Sequence, residues 1–217
     1  MNNATSNLRT QKDLEMTPRQ SSPSDQELRL QVVELERELC ETHEALRQCR
    51  EKLMFLESHP SILTALKGES LVAAWVQGMT TGHNDSIDVL ARGIRIEVKM
   101  SSVPTVAYKG GQTFRWHWPQ LLGVGRNKQF DRLILLGGKD QRYWNEYLDR
   151  TCPYVIFDIP YADLVPDQYE LLTQAGNAWD CIFLSTNPQT VRRPGSRLLF
   201  TKYQTTAGGL ESNYGLK

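Results

Sequence analysis

The sequence predicts an α/β (α+β) domain, a mixed central β-sheet flanked by helices, carried behind an N-terminal coiled-coil helix. Three observations lead there. An apolar 4-3 repeat runs through residues 28–56, a charged hairpin pattern follows at 86–99, and strand-like runs then alternate with helix-like segments. The chain of 217 residues is long enough for one domain with a sizeable core plus an appendage.

Residues 1–23 are rich in Asn, Thr, Ser, Gln and Pro and hold too few apolar groups to order themselves, so they are expected to be a flexible tail. Ser24 and Glu27 form a Ser-x-x-Glu capping box. Leu28, Val32, Leu35, Leu39, Thr42, Leu46, Cys49, Leu53 and Leu56 follow in an alternation of four and three residues. Val32, Leu39, Leu46 and Leu53 occupy a positions and the others d positions of an unbroken heptad. At about 1.5 Å per residue the helix is on the order of 45 Å long. A helix lying on its own domain carries a wider apolar stripe than this a/d seam, so residues 24–58 are assigned to self-association as a dimer or tetramer. Thr42 and Cys49 weaken two d layers, and strand number and direction stay open.

His59-Pro60 breaks the helix; Ser61 is expected to cap a second one that runs to about Val76 and closes at Gly78. Ile62, Leu66, Ala73 and Val76 supply its buried face. Glu69 lies on the same helix and by itself is an ordinary surface residue. Next, Ser86–Lys99 forms two β-rich runs joined by Arg92-Gly93, a turn-prone pair. A two-residue loop pairs Ala91 with Ile94, Leu90 with Arg95, Val89 with Ile96 and Asp88 with Glu97. By strand parity, Ile87, Val89, Ala91, Ile94, Ile96, Val98 and Met100 share an apolar core face. Asp88, Arg95, Glu97 and Lys99 share the other, expected to be wet. Two carboxylates facing each other are unfavourable unless something positive lies between them, and a divalent cation is the obvious candidate. An ordinary solvated Glu-x-Lys face accounts for the same residues, and a bulge would shift the Asp88–Glu97 pairing.

Farther on, Phe114, Trp116 and Trp118 alternate with Arg115 and His117, a strand with its Trp residues in the core and its basic residues outward. Pro119–Gly125 is expected to be a short helix or turn. Arg132–Gly137 is a continuous apolar run, a strand buried on both faces. A short helix over Arg142–Arg150, a strand over Tyr154–Asp158, a helix over Tyr161–Ala175, a strand over Cys181–Ser185 and a final strand over Leu198–Tyr203 complete the pattern.

Charge balances overall, with 25 basic and 25 acidic residues, so net charge points to no partner. Its distribution is more informative: residues 92–142 hold ten Lys/Arg against three Asp/Glu, what a polyanion-binding surface needs. Cys40, Cys49, Cys152 and Cys181 show no CxxC spacing and pair with none of the four His, which argues against a zinc site and a disulfide framework. With no signal peptide and no apolar run of membrane-spanning length, a soluble protein of the reduced cytoplasm is expected.

A helix bearing Glu69, then Ile87-Asp88, then Ile94-Arg-Ile-Glu97-Val98-Lys99, then a buried strand beginning at Asp131, resembles the PD-(D/E)xK restriction-endonuclease-like nucleases over roughly residues 60–160. Ile87 stands where the family has Pro, and eight residues separate Asp88 from Glu97. The resemblance implies a restriction-endonuclease-like sheet over residues 60–217 and a Mg²⁺-dependent DNA endonuclease. Asp88 and Glu97 would hold Mg²⁺ (Mn²⁺ substituting) with the Val98 carbonyl, Glu69 would be an outer acidic contact, and Lys99 would activate the attacking water. Double-stranded DNA is the implied partner, cut in a restriction or homing manner by paired sites in an oligomer. Lys109, Arg115, Arg126, Lys128, Arg192, Arg193 and Lys202 are candidate DNA contacts, ranked only by local charge. A repair or junction nuclease, a metal-dependent RNase, and a catalytically inactive coiled-coil DNA-binding or scaffold protein are the competing expectations.

Overall fold

The computed structural model describes residues 24–82, 85–101, 105–106, 114–123, 128–164, 171–175 and 178–215. The expected tail at 1–23 and two candidate DNA contacts, Lys109 and Arg126, lie outside the described residues. The chain divides into two compact units, Met1–Met54 and Phe55–Lys217.

Helix α1 spans Asp25–Ser58, 34 residues, none of them buried. Its start is the expected capping box: the Ser24 N–H donates to Glu27 Oε2 at 2.6 Å and the Glu27 N–H to Ser24 Oγ at 3.3 Å. The heptad leucines are bare, with Leu39 55% and Leu46 65% exposed. Arg37 pairs with Glu34 and Glu41, and Arg47 with Glu44 and Glu51, all at outward b, c and f positions, so these ion pairs leave the apolar seam clear.

Helix α2, Pro60–Val76, has Pro60 in its first turn and His59 as N-cap, so Ser61 is not the cap. It ends at Gln77 in the left-handed conformation (φ 51°), with the Gly78 N–H on the Ala73 carbonyl at 2.9 Å. Gly78 is needed for closeness instead, because a Cβ there would meet the Leu90 carbonyl at 2.8 Å.

Strands β1 (Met79–Thr80), β2 (Val89–Ala91) and β3 (Ile94–Ser101) are followed by β4 (Thr105–Val106), β5 (Phe114–Trp118), β6 (Arg132–Gly138), β7 (Tyr154–Pro160), β8 (Thr173–Ala175), β9 (Ala178–Ser185) and β10 (Gln204–Thr205). The main sheet has the order β1-β2-β3-β6-β7-β10; β3 and β6 are parallel and every other neighbour is antiparallel, giving a mixed and mostly antiparallel sheet. A second sheet, β4-β5-β9-β8, is antiparallel.

Period-2 alternation sends the two faces of the main sheet into different cores. Ile96 and Val98 of β3, Ile134 and Leu136 of β6 and Ile156 of β7 pack with Val72 and Val76 of α2 and with Leu210 of the C-terminal helix α4 (Ala207–Tyr214). Leu133, Leu135, Phe157 and Ile159 pack on the other side against Trp116 and Trp118 of β5 and Ile182 and Leu184 of β9. The two Trp rings anchor the layers, Trp116 Nε1 donating to the Gly138 carbonyl at 2.7 Å and Trp118 Nε1 to the Leu136 carbonyl at 3.0 Å. Ile87, expected on one face with Val89, Ile96 and Val98, packs instead with the Trp core.

Several boundaries differ from expectation. The segment after Asp140 is a 3₁₀ turn, Gln141–Glu146, ending short of Arg150. No single helix covers 161–175 among the described residues: Tyr161–Leu164 is a 3₁₀ turn and Thr173–Ala175 pairs with β9, an open strand edge overriding helical propensity. Leu198–Tyr203 is not a strand. Pro194 starts helix α3 (Pro194–Leu198), and Leu199–Tyr203 continues it as a π-helical turn. Short buried helices and short buried strands share the same apolar signature.

Candidate active site

The hairpin turn is as expected, with Arg92 and Gly93 both at positive φ (52° and 80°), the geometry of a type I′ loop. Register also follows, Ala91 with Ile94, Leu90 with Arg95 and Val89 with Ile96. The regular pairing stops there. Instead of opposing Glu97, Asp88 donates its N–H to the Ile96 carbonyl at 3.1 Å, so Asp88 and Val89 both address Ile96. This turns the carboxylate along the strand, where Asp88 Oδ2 accepts the Val98 N–H at 2.8 Å. A strand residue points its N–H and C=O to the same side, so the Val98 carbonyl is directed toward the Asp88 side of β3 too.

Glu97 and Lys99 project from the opposite face of β3 to Ile96 and Val98. That face is not wet as expected: Leu133 and Leu135, their register partners on β6, are core, and Glu97 has 0% exposure. Buried Leu121 and Phe130 contribute to the same core, from the segment that also carries Lys128. Glu97 is compensated by two ammonium groups. Lys128 Nζ lies 2.5 Å from Oε1 and 2.6 Å from Oε2, and Lys99 Nζ lies 2.8 Å from Oε1. Burial, then the charge of Asp88, pushes the Glu97 pKa above its ordinary value, while Lys99 and Lys128 pull it back. The lysine side chains keep 27% (Lys99) and 23% (Lys128) exposure.

Among the described residues no three His, Cys, Asp or Glu side chains cluster. Mg²⁺ does not need three, because it binds through one or two carboxylates and keeps several waters. Asp88, Glu97 and the Val98 carbonyl each offer oxygen, the donor type that such a cation takes.

Glu69 is half-buried on α2, one residue beyond Gly68, where a Cβ would lie 3.1 Å from Met100 Cβ. The helix therefore covers the Val98–Met100 face, opposite the one that carries Glu97 and Lys99. Asp131 bonds to Arg95: its Oδ1 is 2.8 Å from Arg95 Nη2, and its Oδ2 accepts the Arg95 N–H at 2.8 Å, clamping the start of the parallel β3–β6 pair.

The candidate DNA contacts scatter. Lys128 is bound to Glu97. Arg193 donates to the Leu172 carbonyl at 2.6 Å, and Lys202 pairs with Asp163 at 2.9 Å. Arg115 lies over the Phe183 ring at 4.7 Å, half-buried rather than free-standing, and Arg192 is exposed. His117 stacks on the same ring at 4.1 Å, its Nε2 buried. Lys128 is the site residue whose role sequence reasoning missed. Its partner is 31 residues away, and the one local signal is Gly123, which makes room for its stem.

No protein-family model matches the chain, and no curated protein matches it in sequence. Among the described residues no helix is long and apolar enough to cross a membrane.

Proposed function

We propose that the protein is a divalent-cation-dependent DNA endonuclease of the PD-(D/E)xK type, working as an oligomer through α1. The observation that carries this reading is the departure of Asp88 from the ladder, which sets its carboxylate on the Val98 N–H, with Glu97 and Lys99 on the flanking residues of β3. Asp88 and Glu97, with the Val98 carbonyl, would hold Mg²⁺ or Mn²⁺. Bound there, the cation supplies a lowered pKa for a water and positive charge against the scissile phosphate. Lys99, anchored to Glu97 and still part-exposed, orients the attacking water and offsets charge building on the phosphate. Asp88 holds the strand end in shape through Val98. The bare α1 seam favours a second copy, and two copies supply the two sites that cutting both DNA strands requires.

One observation favours a second reading, a catalytically inactive DNA-binding or scaffold protein. Glu97 is sealed under two lysines, as a purely structural ion pair would be. One experiment separates them. Plasmid DNA and RNA are incubated side by side with the protein and Mg²⁺, with and without excess EDTA. Cleavage of DNA abolished by EDTA, with discrete bands for a sequence-specific enzyme, is the expected result. An uncut plasmid, or cutting that survives EDTA, overturns the proposal.

A further inference from the structure

Lys128 occupies both oxygens of the carboxylate that the proposed cation would need. Its place is built by the fold. The Lys128 N–H donates to the Leu122 carbonyl at 3.1 Å, which ties the lysine backbone beside buried Leu121. Gly123, at φ +73°, leaves the space that the lysine stem fills; a Cβ there would lie 2.7 Å from Lys128 Cγ. On the other side Phe130 is buried and the Asp131 N–H is bonded to the Arg95 carbonyl at 2.8 Å. The ammonium is thereby delivered to Glu97, which has no exposed surface of its own.

We infer that Lys128 is an internal counter-ion that gates cation entry, its ammonium leaving Glu97 when the divalent ion arrives. The inference rests on the reading of Asp88, Glu97 and Val98 as a cation site. Two ammonium groups and a dication around two carboxylates place four positive charges against two negative ones, so one ammonium has to give way. Lys99 is fixed by the strand that carries Glu97. Both lysine side chains are part-exposed, Lys99 at 27% and Lys128 at 23%, but Lys128 alone is carried by a segment outside the sheet, so its head reaches water without disturbing the strand that holds Glu97. Glu97 then exchanges one positive partner for another and is never buried alone, a state that would be costly.

The test uses the full-length protein without DNA at pH 8, titrated with Mn²⁺ in a calorimeter. Lys128→Met removes the competitor, and Mn²⁺ binding is expected to tighten by about tenfold or more, the factor for giving up one charge-assisted bond. Lys128→Arg restores a competing cation and is expected to return affinity toward wild type, a rescue that a merely space-filling role does not predict. Lys128→Gln, which keeps a polar stem of similar length without the charge, is expected to tighten binding as well and serves if Lys128→Met fails to fold. Unchanged or weaker Mn²⁺ binding in the folded variants overturns the gate. If neither wild type nor Lys128→Met binds Mn²⁺ at all, the cation site itself falls and the gate with it.

Discussion

Replacing Asp88 by Asn separates the charge at the hairpin end from the hydrogen bond that shapes it. Asp88 Oδ2 accepts the Val98 N–H at 2.8 Å, and an amide oxygen accepts the same bond. The fold then loses only charge assistance, about 0.5–1 kcal/mol, which lowers Tm by roughly 1–4 °C in a chain of this size. The loss is partly offset, because the Asp88 charge is one of the causes raising the Glu97 pKa, and removing it relieves that repulsion. Asp88→Ala instead leaves the Val98 N–H without its acceptor, at about 1–3 kcal/mol. Cleavage responds on a different scale. The proposed cation loses one of its two carboxylates in both variants, and several kcal/mol of transition-state stabilisation corresponds to an expected rate loss on the order of a hundredfold or more. The assay pairs thermal melts with the rate of supercoiled-plasmid cleavage in Mg²⁺. An Asp88→Asn protein that melts within a few degrees of wild type and cuts equally fast refutes the assignment of Asp88.

Lys99→Met leaves Glu97 still held by Lys128, so Mn²⁺ binding is expected to persist while plasmid cleavage drops on the order of a hundredfold; unaltered cleavage removes Lys99 from the chemistry. Asp140 is held at about 2, below its ordinary 3.8, chiefly by its bond to Arg142, with Thr186 adding a second. Because this carboxyl is depressed in the folded state, its stabilisation of about 2 kcal/mol is complete above its unfolded pKa and is lost as pH falls through 3.8 toward 2. Urea melts at pH 6 and pH 3 should show a smaller drop for Asp140→Asn than for wild type, and an equal drop counts against the linkage. Leu39→Glu combined with Leu46→Glu places charge in the α1 seam and is expected to turn an oligomer into a monomer in sedimentation velocity. Tryptophan emission should not move, since every Trp lies beyond α1; a sedimentation coefficient the same as wild type's refutes the seam.

The features legible in the sequence are those carried by near neighbours. The capping box needs only Ser24 and Glu27, three positions apart, and the heptad of α1 only a repeated spacing. Arg92-Gly93 determines the turn, and the turn sets the register as far as Val89, because a two-residue loop leaves the strands one way to pair. Parity then places Ile96 and Val98 on one side of β3 and Glu97 and Lys99 on the other.

Tertiary structure decided what the second side faces. Nothing local in Glu97-Val98-Lys99 reveals that a second sheet, pinned by Trp116 and Trp118, packs on the same face and removes Glu97 from water. Nor does it reveal that Lys128 crosses from another segment to neutralise it. The parallel β3–β6 pairing, the strand at Thr173–Ala175 and the helical turn at Leu199–Tyr203 likewise depend on partners distant in the chain. Propensity and periodicity are properties of a few consecutive residues, whereas burial and charge compensation belong to surfaces that meet only once the chain has folded.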